Sequence, residues 1–99
     1  MSSWELPGPV TALGTVKHRQ HFVAAATVCA LRTWASGGSK SLTCVVSDGT
    51  GEVTLVFLGR TSVPGLRLGA KCVIEGTALG DGRRLVVWNP LYRIVSNGN

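Results

Sequence analysis

Acidic residues, aromatics and paired cysteines are all scarce in this 99-residue chain, and each scarcity narrows what it can be. Five Asp and Glu against ten Lys and Arg leave a formal charge of +5, which favours an anionic partner such as nucleic acid. Three cysteines, Cys29, Cys44 and Cys72, are odd in number, widely spaced and each set in an apolar run. This excludes a disulfide framework or a Cys-x-x-Cys metal site and predicts three buried thiols in a reducing cytoplasm. His18 and His21 have no Cys, Asp or Glu cluster beside them, so neither a metal nor another cofactor is expected. Serines and threonines are plentiful, but no acid and histidine stand where they would activate one as a nucleophile. There is no phosphate-cradling glycine motif leading into a helix. Neither enzymatic activity nor a small-molecule substrate is expected.

Long apolar runs are also missing. The longest, residues 22–31, is about half of what a membrane helix requires. The first nine residues carry neither a basic nor an apolar leader region. The expectation is a cytoplasmic protein with no membrane contact.

What the chain does have is glycine, thirteen of them, among many Val, Thr and Leu. Helix interiors disfavour glycine and β-branched residues, whereas strands separated by tight turns accommodate both, so the class is all-β. The length fits one domain. The clearest local signal is residues 42–59, two β-branched runs hinged on Asp48-Gly49-Thr50-Gly51. Glycine supplies the positive φ of a tight turn, and the pattern predicts an antiparallel hairpin. Asp48 is assigned to that turn, bonding backbone amides.

In chain order, residues 1–21 read as an irregular lead-in that can pack on the domain, with an ambiguous short helix over 10–20. The domain proper spans 22–95. Residues 22–34 form a long first strand whose small central residues let it bend and serve two sides of a barrel. Residues 35–40, Ala-Ser-Gly-Gly-Ser-Lys, predict a flexible connection. Strands two and three cover 41–47 and 52–58. The segment 59–69, with Pro64-Gly65, permits at most a short helical turn. Strand four covers 70–79, Gly80-Asp81-Gly82 turns the chain, and strand five runs from 83, is interrupted at Asn89-Pro90, and continues to 95. Residues 96–99 read as a disordered tail. Five strands in this arrangement predict a Greek-key barrel of the oligonucleotide/oligosaccharide-binding (OB) type, with an SH3-like barrel as the competing small fold.

Residues 45–60, Val63-Pro-Gly-Leu-Arg-Leu-Gly69, Val73-Ile-Glu-Gly76 and Asp81-Gly-Arg-Arg-Leu-Val-Val-Trp-Asn-Pro-Leu-Tyr92 together resemble the small actinobacterial OB-fold proteins described as nucleic-acid binding. More distantly they look like the anticodon-binding OB domains of class II tRNA synthetases and the wedge domain of the RecG helicase. The resemblance implies a five-stranded barrel that binds single strands on the outer face of strands two and three, flanked by the first and last hairpin loops.

Period-two alternation places Leu42, Cys44, Val46, Val53, Leu55 and Phe57 in the core. Thr43, Val45 and Ser47, with Thr54, Val56 and Leu58, then point outward. None of these six is aromatic, so stacking groups are missing from the centre of that face. The candidate nucleic-acid-binding set is Arg32, Trp34, Lys40, Thr43, Val45, Thr54, Val56, Arg60, Arg83 and Arg84. The basic members form a rim expected to hold phosphates weakly and with strong salt dependence. Trp34 is expected to cap the core rather than stack on a base, and Trp88 and Tyr92 to pack beneath the barrel end. The alternative function is a homodimer or protein-partner interface using the aliphatic face of Val45, Val56 and Leu58.

Overall fold

A computed structural model describes residues 10–81 and 84–96. The chain is all-β: one mixed sheet curls into a half-barrel around an apolar core, in the strand order β5-β6-β3-β2-β1-β4-β7. The strands are β1 (His21–Ser36), β2 (Ser39–Ser47), β3 (Glu52–Leu58), β4 (Lys71–Thr77), β5 (Leu79–Asp81), β6 (Arg84–Trp88) and β7 (Leu91–Ser96). Seven strands are found where five were expected: β4 and β5 occupy the segment read as strand four and the start of the turn after it, so that Gly80 and Asp81 are strand, and β6 and β7 occupy the segment read as strand five. Ala78 leaves the ladder between β4 and β5 to exchange backbone hydrogen bonds with the lead-in, its carbonyl accepting from Arg19 and its N–H donating to Gln20. Asn89, at a positive φ of 49°, and Pro90, which has no N–H, separate β6 from β7.

The sixteen residues of β1 tie the two sides of the sheet together. Its first part pairs with β4, from His21 opposite Thr77 to Thr27 opposite Lys71. Its second part pairs with β2, from Thr27 opposite Ser47 to Ser36 opposite Ser39. The register slips by one residue between Val28 and Ala30, leaving Cys29 as the extra residue of a β-bulge. A bulge bends its strand and increases the local twist, which curls this sheet. It also overturns the expectation for Cys29: the added residue sits outside the pleat, and the thiol is exposed while Cys44 and Cys72 are buried.

The connection after β1 is tighter than its composition suggested. Ser36 and Ser39 are paired, and only Gly37 and Gly38, with φ of 56° and 88°, make the turn. Two successive positive φ values define the primed turn whose twist matches a hairpin, and glycine adopts them without steric cost. The strands therefore run on past the last β2–β3 pair, Ser41 with Leu58, as a short two-stranded arm of residues 35–40, all exposed.

The alternation expected for β2 and β3 is observed. Leu42, Cys44, Val46, Val53, Leu55 and Phe57 are buried and join Ile74, Val87 and Phe22 in one cluster. Among the described residues no polar or charged side chain is buried. Instead of a regular helix, residues 10–20 contain a single 3-10 turn, Leu13–Thr15, whose Leu13 is 2 % exposed and belongs to the core. Segment 59–70 is built of turns.

Candidate functional site

The outer face of the sheet can be reconstructed row by row from the strand registers. Cross-strand partners place their side chains on the same side of a sheet, and each step of two residues moves one row along it. One row is Ala30, Val45, Thr54 and Val86. The next is Arg32, Thr43, Val56 and Trp88, one residue from each of β1, β2, β3 and β6. Beyond it stand Trp34, Ser41 and Leu58. This face has a β-branched floor with hydroxyls at Thr43 and Thr54, a guanidinium at one side and indoles toward its far end.

The near part of this face carries a depression next to the β1 bulge. A groove of about 450 Å³ is lined there by Arg32, Thr43, Val45, Thr54 and Arg84 among others. Half of the ten sequence candidates thus come together in one depression. Glu52 also lines it, so the rim is mixed in charge rather than uniformly basic.

The other candidates are distributed differently. Val56 lies one row on, beside Thr43. Trp34 is on the same face and is 56 % exposed, so it does not cap the core. Its row, with Ser41 and Leu58, is on the outer face of the sheet, away from the apolar interior. Lys40 pairs with Ala35, one residue along from Trp34, and so belongs to the opposite face of the arm. Its carbonyl accepts the Gly59 N–H at 2.8 Å. Arg60 lines a separate depression of about 320 Å³ with Phe57, Asn89 and Tyr92. Arg83 lies outside the described residues.

Trp88 was expected beneath the barrel end and is instead 51 % exposed on the outer face. The signal was present in Arg84-Leu-Val-Val-Trp88. With Leu85 and Val87 buried, alternation sends Arg84, Val86 and Trp88 outward. Tyr92 does pack inward, half-buried, its ring meeting Phe57 edge to face at 5.7 Å. Leu58 is 52 % exposed, and its N–H is fixed by the Asn89 side-chain oxygen at 2.9 Å. That bond holds the ends of β3 and β6 together next to Trp88.

The two histidines go separate ways. His18 Nδ1 accepts the Gly80 N–H at 3.0 Å, and His21 Nε2 meets Glu75 at 2.9 Å. Among the described residues no group of three or more His, Cys, Asp or Glu side chains is placed to hold a metal ion. Among the described residues no helix is long and apolar enough to cross a membrane.

Comparison of the chain with family models and with curated proteins finds no match.

Proposed function

We propose that this chain is an OB-type barrel that binds nucleic acid without catalysing a reaction. The barrel reading is supported by the pairing scheme. The segment containing β4 and β5 pairs with β1 through β4 and with β6 through β5, and β6 runs parallel to β3. Counting β4 with β5, and β6 with β7, as interrupted single strands gives five strands in which the fourth bridges the two sides of the curl. Such a barrel uses the face of strands two and three.

The observation that carries the functional reading is the groove on that face, with Arg32 and Arg84 at its walls in a chain of net charge +5. Guanidinium groups recognise phosphate oxygens in a planar, forked geometry. Their contribution is independent of sequence and falls steeply with salt, because counterions are released on binding. The free cysteines fit a reducing compartment.

Fluorescence anisotropy of labelled DNA and RNA oligonucleotides, titrated with the protein across a salt series, tests the proposal. The expected result is binding at low salt with log K falling linearly in log salt, and weaker binding with a shallower slope for Arg32→Ala. Absence of binding to either nucleic acid at the lowest salt overturns it.

A second reading, a homodimer or protein-partner surface, is favoured by the exposure of Leu58, Trp34 and Trp88 on one face of the sheet. Sedimentation over a concentration range separates the two, since self-association without oligonucleotide binding supports only the second.

A further inference from the structure

Trp34 and Trp88 stand at two corners of one sheet face, half-exposed, with Thr43 and Val56 on the strands between them and Arg32 on the strand of Trp34, in the row of Trp88. Their separation follows from the registers. β1 and β6 are three strand spacings apart, and Trp34 is two residues beyond the row of Trp88. At about 4.8 Å per strand and about 3.3 Å per residue, the path between the two Cα atoms along the sheet is roughly 16 Å. Neither indole is spent on the core, since the interior beneath is filled by Leu42, Cys44, Leu55, Phe57 and Val87.

Exposing two tryptophans is costly in water unless something covers them. A flat π-face with a polar edge favours a planar ring, and a neighbouring guanidinium favours an anion, so the pair selects a ligand with alternating planar and anionic parts. Bases in a duplex have both faces covered by their neighbours and cannot offer one to an indole in mid-helix. Bases of a single strand can, and stacking on aromatic side chains is how such strands are held without base-specific hydrogen bonds. A span of roughly 16 Å corresponds to about five nucleotides at the ~3.4 Å rise of a stacked strand, and to fewer when the strand is extended.

We propose that this face takes an unpaired strand of about four nucleotides, laid across β1, β2, β3 and β6, with Trp34 and Trp88 each stacking on a base and Arg32, two residues from Trp34 on β1, meeting a phosphate at that end. The proposal rests on the nucleic-acid reading above. It replaces a purely electrostatic rim with a two-point aromatic clamp, indifferent to base identity and selective against duplex.

The test compares labelled oligothymidylates of two to eight nucleotides with a blunt hairpin duplex of matched charge, using wild type, Trp34→Ala, Trp88→Ala, Trp34→Phe and Arg32→Ala. Because both indoles are half-exposed, the alanine variants are expected to keep the wild-type melting curve, which is recorded for each. The clamp predicts that affinity rises with length to about four or five nucleotides and then levels, and that single strands bind at least about tenfold tighter than duplex. Each Trp→Ala change is expected to cost the single strand about tenfold, with duplex binding unchanged and Trp34→Phe close to wild type.

If duplex and single strand bind alike, and Arg32→Ala weakens both while the tryptophan variants weaken neither, the clamp is wrong and the electrostatic reading stands. If no oligonucleotide binds, both fail. Capture of a neutral oligosaccharide by the two indoles, with oligonucleotides ignored, also overturns the clamp.

Discussion

The carboxylate of Asp48 accepts the backbone N–H of Leu13 at 2.8 Å, across 35 residues of chain. Its other oxygen takes the Thr50 N–H, the Thr50 hydroxyl and the Gly51 N–H at 2.8, 2.6 and 3.2 Å. The Thr50 hydroxyl in turn accepts the Gly14 N–H at 3.0 Å. The β2–β3 turn is therefore a clasp for the lead-in, and it places Leu13 in the core. Asp48→Ala leaves the Leu13 amide without its acceptor. We expect a loss of about 1–3 kcal/mol in urea unfolding, with Asp48→Asn intermediate because its side-chain oxygen can still accept.

The same clasp sets a pH dependence. Burial raises the Asp48 pKa, but the hydrogen bonds from the Thr50 hydroxyl and from the amides of Leu13, Thr50 and Gly51 outweigh it and leave the carboxyl below the ordinary 3.8. A depressed folded-state pKa means that this contribution is complete above the unfolded value and disappears as pH falls through the folded one. The stability difference between wild type and Asp48→Asn should be constant from pH 5 to 7 and shrink below about pH 4. A difference that persists undiminished to pH 2 would remove the ionised carboxylate from the explanation.

Gly14 and Gly51 meet where the lead-in crosses the turn. A Cβ on Gly14 would fall 2.3 Å from the Thr50 carbonyl oxygen, and one on Gly51 would fall 2.8 Å from the Gly14 backbone. Both obstacles are backbone, which cannot rotate aside as a side chain can. Gly14→Ala and Gly51→Ala should each lower the free energy of unfolding, measured in urea, by about 1–3 kcal/mol. By contrast, nothing lies within 4 Å of a Cβ built on Gly59, so Gly59→Ala registers only the strain of its positive φ of 77°.

The three thiols should separate cleanly by reactivity. Burial pushes Cys44 up to about 12 and Cys72 up to about 11, while Cys29 is held outside the pleat by the bulge. With a chromogenic disulfide reagent at pH 8, one thiol per chain is expected to react in seconds and two only as fast as the protein unfolds. Two fast thiols in the native protein would contradict the placement of Cys44 or Cys72. Cys29→Ser should abolish the fast phase and leave the melting curve unchanged.

Regular alternation was the part of this structure most legible in the sequence. The inward and outward sets of β2 and β3 follow from their β-branched pattern, and Asp48 was recognisable as a turn residue. The bulge at Cys29 was not legible, because an extra residue in an apolar run looks like one more core position until the partner register is known. The Ala78 break depends on hydrogen bonds to Arg19 and Gln20, about sixty residues earlier. Trp34 and Trp88 were misjudged for a related reason. Burial of a large aromatic is a fair expectation, but alternation in β6 and the outward register of Trp34 opposite Ser41 override it, and the second of these depends on the bulge at Cys29 and a two-residue turn. Cross-strand rows, and with them the grouping of Arg32, Thr43, Val56 and Trp88, exist only once registers are fixed.

The Gly37-Gly38 turn has one more implication. Its two glycines have nothing within 4 Å of a built Cβ, and the arm behind it is exposed on both faces. Arm length is therefore mechanically uncoupled from the barrel and can vary between variants without disturbing the core. Parity is what matters. Inserting residues in matched pairs ahead of Trp34 on β1 and after Ser41 on β2 would carry the indole off the row it shares with Leu58 and outward onto the arm, in steps of about 6–7 Å on the same face. A single insertion would turn it to the face that carries Lys40. The arm is in effect an adjustable ruler, with the reach of the surface set by strand arithmetic.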